Sequence, residues 1–128
     1  MPTFRKHEHL LTPADFQRVY DRRRSAADDG LIVYALENGR AWTRLGLSVS
    51  KKYGGAVGRT RLRRLYREAF RLLKEELPVG LDLVLIPRSR EEPTLEGVKQ
   101  SLARLVKQVH KKMLREKPAP RAESDAPS

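Results

Sequence analysis

The cations Lys51, Lys52, Arg59, Arg61, Arg63, Arg64, Arg67, Arg71 and Lys74 share one stretch of chain with a single acid, Glu68. Read as a helix from about Gly58 onward, at about 100° per residue, this stretch sets Leu62, Leu65, Tyr66, Ala69, Leu72, Leu73 and Leu77 on one side. Arg63, Arg64, Arg67, Arg71 and Lys74 fall on the other. The apolar side can enter a core while the basic side presents cations about one turn apart, a spacing suited to a polyanion. Arg59, Arg61, Arg63 and Arg64 crowd the end of the helix where the dipole is already positive, which disfavours the free protein. An external anion relieves that repulsion. Backbone N–H groups of the first turn, preceded by Gly54-Gly55-Ala56-Val57-Gly58, make a phosphate-binding end. A one-signed run without interleaved acids is poor design for solubility alone, so the stretch reads as a nucleic-acid-binding helix.

A second constellation is aromatic. Phe16 and Tyr20 share a face of the first predicted helix, and Tyr34 lies in a strand that packs beneath it. For each ring alone, core packing is the ordinary explanation. Together with Lys51 and Lys52 they form a stacking floor with a basic rim, the arrangement that grips single-stranded nucleic acid without sequence preference.

No catalytic set accompanies these groups. Ser48 and Ser50 lack the context of a nucleophile elbow, and the glycines before Arg59-Thr60 are not followed by the Lys-Ser/Thr of a phosphate-binding loop. His7-Glu8-His9 has no third ligand nearby in sequence, His110 sits among surface lysines, and Glu75-Glu76, Asp28-Asp29 and Glu91-Glu92 fall in turns or at helix ends. Asp82, inside an apolar strand, is expected to face solvent or to pair with an arginine. Neither a catalytic residue nor a protein-held metal is expected.

The chain has 128 residues, enough for one domain with a modest core, and a formal net charge of +11 that calls for an anionic partner. It contains no cysteine, which excludes disulfides and thiolate chemistry. No apolar run approaches the ~18 residues of a membrane span and the first nine residues do not resemble a signal peptide, so a cytoplasmic location is expected.

The elements that must position these groups follow from local signals. Residues 1–9 read as a flexible arm. Thr12-Pro13-Ala14-Asp15 opens a helix to about Arg22. A short strand is expected at 25–27 and a stronger one at 31–36, with Asn38-Gly39 turning the chain into a hairpin whose returning strand is 42–50. After the central helix, 81–86 reads as a buried strand that pairs parallel to the strand before the helix. Pro93-Thr94 opens a last helix carrying Leu95, Val98, Leu102, Leu105, Val109 and Met113. Residues 116–128 read as a disordered tail. The sum is a single-domain α+β sandwich over residues 10–115, in the order α-β-β-β-α-β-α.

The run from Lys51 to Arg71 closely resembles the signature of the bacterial ribonuclease P protein subunit, and Arg44-Leu45-Gly46-Leu47-Ser48-Val49-Ser50 and Asp15-Phe16-Gln17-Arg18-Val19-Tyr20 fit the same family at the same separations. Two positions depart from it: Thr60 stands in place of the usual Asn between arginines, and Gly55 in place of the usual Asn before Ala56. The resemblance implies a fold like domain 2 of ribosomal protein S5, with a left-handed crossover around the central helix against the generic rule. It implies a ribonucleoprotein endonuclease whose chemistry belongs to a partner RNA with bound Mg²⁺, the protein helping to remove the 5′ leader of precursor tRNA. By motif match, Phe16, Tyr20, Ile32, Tyr34, Lys51 and Lys52 line the leader site. Arg59, Thr60, Arg61, Arg63, Arg64, Arg67 and Arg71 face the ribonuclease P RNA.

Overall fold

Thr12 opens the first helix as its sequence context predicts: its Oγ1 accepts a hydrogen bond from the Asp15 amide at 3.1 Å, and α1 runs Pro13–Asp21. The computed structural model describes residues 4–88 and 92–116. Within them α1 is followed by β1 (Ser25–Ala27), β2 (Leu31–Glu37), β3 (Arg44–Leu47), α2 (Ala56–Leu73), β4 (Leu81–Pro87) and α3 (Leu95–Arg115). The α+β class and the element order are those expected. Single 3-10 turns lie at Lys6–Glu8, Lys51–Tyr53 and Lys74–Glu76. Helix α2 starts two positions before the expected Gly58, and Leu77 reaches the core from beyond its end, after the last of those turns.

The strands form one sheet in the order β1-β2-β4-β3. β4 runs antiparallel to β2, with Tyr34 opposite Val84, and parallel to β3, with Leu45 opposite Leu83. The parallel pairing across α2 is the expected one, whereas the hairpin between β2 and β3 does not form, because β4 lies between them. Asn38-Gly39 still turns the chain, with Gly39 at φ 69° and the Arg40 amide donating to Asn38 Oδ1 at 2.8 Å. The turn leads into a longer connection across the sheet, and the returning strand shrinks from the expected 42–50 to Arg44–Leu47. The physical reason is burial: Leu81, Leu83, Val84 and Leu85 are all almost inaccessible, and a strand apolar on both faces belongs in the middle of a sheet.

Alternation along β2 and β4 divides the core into two layers. Leu31, Val33, Ala35, Leu81, Leu83 and Leu85 meet α2 and α3, where Leu62, Tyr66, Phe70, Leu102, Leu105 and Val109 are buried. On the opposite face, Tyr34, Leu36, Val84 and Ile86 meet Phe16, Val19 and Tyr20 of α1, together with Leu10.

The expectation of a flexible arm over residues 1–9 is corrected for residues 4–9, while residues 1–3 lie outside the described residues. Residues 4–10 form a strap across β3 and α2. Leu10 donates its amide to the Leu45 carbonyl at 2.8 Å, His9 bridges to Leu45, and Phe4 meets Phe70 edge-on at 5.4 Å. Glu8 is 3% exposed and accepts from Lys74 Nζ at 2.7 Å and from the Arg5 amide at 2.7 Å. Burial pushes the Glu8 carboxyl up, but these bonds outweigh it and hold the group below its ordinary value. At the other end Glu116, expected in the tail, is held by Arg24, which also binds Glu37. The rest of the expected tail lies outside the described residues.

Asp82 takes the arginine alternative and not the solvent one. It is 1% exposed, and it receives Arg44 Nε at 2.8 Å, Arg44 Nη2 at 2.6 Å and Asn38 Nδ2 at 2.9 Å. This pair ties β3 to β4 and both to the connection after β2. Removing one partner strands the other charge: Asp82→Ala is expected to lower unfolding free energy by about 3–5 kcal/mol in urea denaturation, and a loss under ~1 kcal/mol contradicts the account.

Candidate nucleic-acid interface

The start of α2 is built by glycines. Ser50 Oγ accepts from the Lys52 amide at 3.3 Å and starts the Lys51–Tyr53 turn, which Gly54 leaves at φ 104°, a conformation that favours glycine. The turn then lies directly on the helix: a Cβ at Gly58 would stand 2.7 Å from the Tyr53 carbonyl oxygen. Gly55 occupies the N-cap and supplies no side-chain bond, and the first turn contains no acid. The positive end of the dipole is therefore uncapped by any side chain.

Cations surround that end. Arg61, Arg64 and Thr60 are exposed, and Arg59, Arg63, Arg67 and Arg71 are half-buried. Ala56, Val57, Thr60, Arg61 and Arg64 line an open depression of about 490 Å³. Arg59, Arg63, Arg64 and Arg67 make no ion pair among the described residues, and Arg61 reaches only the exposed Glu92, at 3.6 Å. Arg59 Nε is buried without a hydrogen-bond partner. Burial, then the charge of Arg63, push the Arg67 guanidinium below its ordinary value. Arg71 differs from the rest, since Glu68 holds it through bonds of 2.9 and 2.6 Å. The contrast with the rest of the molecule is informative: the buried Arg24 and the largely buried Arg44 are both paired with carboxylates. Among the described residues, arginines that are half-buried yet without an ion pair occur only on α2, at Arg59, Arg63 and Arg67.

The aromatic residues also come together. Tyr20 and Tyr34 meet edge-on with centroids 5.2 Å apart, and Phe16 follows at 6.5 Å from Tyr20. Phe16 is seated on Gly46, where a Cβ would stand 2.6 Å from its ring. Ile32 is half-buried on the Tyr34 side of β2. Lys51 and Lys52 lie in the turn after β3. Lys52 Nζ sits 5.3 Å over the Tyr53 ring, and the residue lines a hollow with Gly58 and Arg61. The structure thus joins Lys52 to the α2 group.

His7-Glu8-His9 does not converge on one point: His7 meets Trp42 edge-on at 5.0 Å, Glu8 binds Lys74, and His9 stacks on Phe4 at 3.9 Å. Sequence reasoning missed Tyr53, whose hydroxyl is buried without a partner beside α2, and His9, which the strap stacks on Phe4 where the charge of Arg67 acts on it. No local signal marks either one.

A family model described as Ribonuclease P matches residues 4–110 of the chain. The chain belongs to the ribonuclease P protein family. It is 43% identical to the ribonuclease P protein component of Brevibacillus brevis over 122 residues, covering 94% of this chain and 95% of the relative. With the ribonuclease P protein component of Clostridioides difficile it shares 40% identity over 106 residues, 81% of this chain and 93% of the relative. Among solved structures, the RNase P protein of Staphylococcus aureus superposes with a TM-score of 0.70 at 34% identity, over 81% of this chain and 95% of that one. The RNase P protein of Thermotoga maritima gives 0.72 at 33% identity, over 79% and 96%. Membership makes the chain a protein component of ribonuclease P, acting with an RNA subunit in tRNA 5′ processing. No helix among the described residues is long and apolar enough to cross a membrane.

The glycine geometry of this family member yields a test. Gly58→Ala raises helix propensity by about 1 kcal/mol, yet its Cβ would meet a backbone carbonyl that cannot turn aside. The substitution is expected to lower the melting temperature and weaken RNA binding together. A stabilised variant with full affinity contradicts the stated role of the Lys51–Tyr53 turn.

Proposed function

We propose that the unpaired arginines of α2 bind the catalytic RNA of ribonuclease P while the aromatic face between α1 and β2 holds the single-stranded 5′ leader of precursor tRNA. The observation that carries this reading is the row Arg59, Arg63, Arg64 and Arg67, without ion pairs among the described residues and beside an N-terminus that has no side-chain cap. Bringing RNA phosphates to that row removes repulsion already present in the free protein and releases counterions from the RNA. Thr60, exposed in the same turn, donates its hydroxyl to a phosphate oxygen where the family's usual Asn would offer an amide.

Phe16, Tyr20 and Tyr34 give the leader π-faces on which bases stack whatever their identity, with Ile32 as an apolar neighbour. Stacking suits a substrate class whose leaders differ in sequence. Lys51 and Lys52 attract the backbone as it passes from that face toward α2. The protein orients the leader and positions it against the RNA, and the phosphodiester cleavage belongs to the RNA with its Mg²⁺. Asp15, Asp82, Glu8, Glu37 and Glu68 are each engaged by Arg or Lys within the fold. A cytoplasmic location goes with this role.

Two measurements test the reading. At low Mg²⁺ the protein is expected to stimulate leader removal by a bacterial ribonuclease P RNA strongly. Tyr34→Ala is expected to weaken binding of precursor tRNA to the assembled complex by about 1–3 kcal/mol while leaving mature tRNA unaffected. Equal losses for both would reduce the protein to a general basic RNA binder.

A further inference from the structure

The strap packs on the second half of α2 through two contacts, Glu8 on Lys74 and Phe4 on Phe70, and Phe4 carries the His9 ring stacked on it. Arg67, Phe70 and Lys74 follow one another at helical spacing, so the strap packs on the stripe of α2 to which Arg67 also belongs. The bridge to Leu45 fixes His9 from the side of β3, and the Phe4 ring stacks on it at 3.9 Å and 27°. His9 is half-buried. The charged group of α2 that acts on it is Arg67, and Arg63, one turn away on the same stripe, acts on Arg67. Glu8, the neighbour of His9 on the strap, carries the opposing charge and is already engaged by Lys74.

We propose that the strap is part of the RNA-binding surface, and that His9 takes up a proton when an RNA phosphodiester binds at Arg63 and Arg67, completing that contact as a third cation. This rests on the reading that α2 meets RNA. In the free protein, burial and the Arg67 charge hold the imidazole below its ordinary value of 6.5, so it is neutral near pH 7. A phosphate between the arginines reverses the local field and favours the imidazolium, with the proton drawn from buffer. Affinity for RNA then rises as pH falls, through the window between the lowered free value and the raised bound one, by at most about tenfold per pH unit for one linked proton.

The test compares wild type, His9→Gln and His9→Arg for binding to a bacterial ribonuclease P RNA from pH 5.5 to 8 at fixed salt. His7 and His110 are present in all three and cancel in the comparison. Wild type is expected to tighten severalfold toward pH 5.5. His9→Gln is expected to stay flat and weak, and His9→Arg to bind tightly at every pH. Identical pH profiles for wild type and folded variants overturn the proposal while leaving RNA binding by α2 intact. Calorimetry of the wild-type chain in buffers of different ionisation enthalpy requires no variant: net proton uptake near pH 6.5 supports the proposal and zero uptake overturns it. A wild-type chain that binds the RNA at no pH overturns both this inference and the reading beneath it.

Discussion

Helix α2 must satisfy two incompatible surroundings along one axis, and the rest of the molecule is arranged around that constraint. Leu62, Tyr66, Ala69, Phe70 and Leu73 are sunk into the layer against β2, β4 and α3. Their burial fixes the rotation of the helix, and that rotation leaves the arginines outward. The cations are therefore held in place by the core and not by counter-charges of their own. A row of like charges on a mobile segment would spread to reduce repulsion, whereas on this helix it cannot, so the repulsion is retained until an anion arrives.

Electrostatic organisation elsewhere serves to keep that helix seated. The Arg44–Asp82 pair locks the parallel strands that flank α2 in sequence, Arg24 gathers Glu37 and Glu116 at the far side of the sheet, and Lys74 anchors the strap through Glu8. Asp28 receives Arg104 of α3 and the amides of Gly30 and Leu31, so the acidic turn is engaged within the fold. Among the described residues, the half-buried arginines without an ion pair, Arg59, Arg63 and Arg67, all lie on α2. The glycines follow the same division: Gly46 makes room for Phe16, Gly58 lets a turn lie on the helix, and Gly55 stands in open space at its N-cap.

Much of this was legible in the sequence because it depends on neighbours in the chain. The two faces of α2, the Thr12 and Thr94 caps and the strands at 25–27 and 81–86 all arise from local periodicity and capping chemistry. The hairpin reading failed because Asn38-Gly39 signals a turn but not the partner that follows it. The apolar run of β4 held the missing clue, since unbroken apolarity marks a strand covered on both faces and hence a central one. The strap was illegible for a different reason: Glu8 and Lys74 are far apart in sequence, and neither is unusual alone. At the site, α2 was readable as a cationic helix, and the gathering of Phe16, Tyr20 and Tyr34 followed from helix and strand spacing. That Lys52 joins α2 and that His9 stacks on Phe4 against α2 depend on tertiary placement, whereas the hold of Glu68 on Arg71 is an i,i+3 pair within the helix.

The central claim is that the unpaired arginines of α2 meet RNA phosphates, and the salt dependence of binding to a ribonuclease P RNA tests it most directly. The slope of log K against log salt reports the number of phosphates neutralised, at about one unit for each phosphate. Replacing Arg63 and Arg64 together by Gln is expected to flatten the slope by about two units, whereas Arg104→Gln, at a side chain already held by Asp28, leaves it unchanged. An unaltered slope in the α2 double variant, or an equal change on replacing Arg104, would contradict the account.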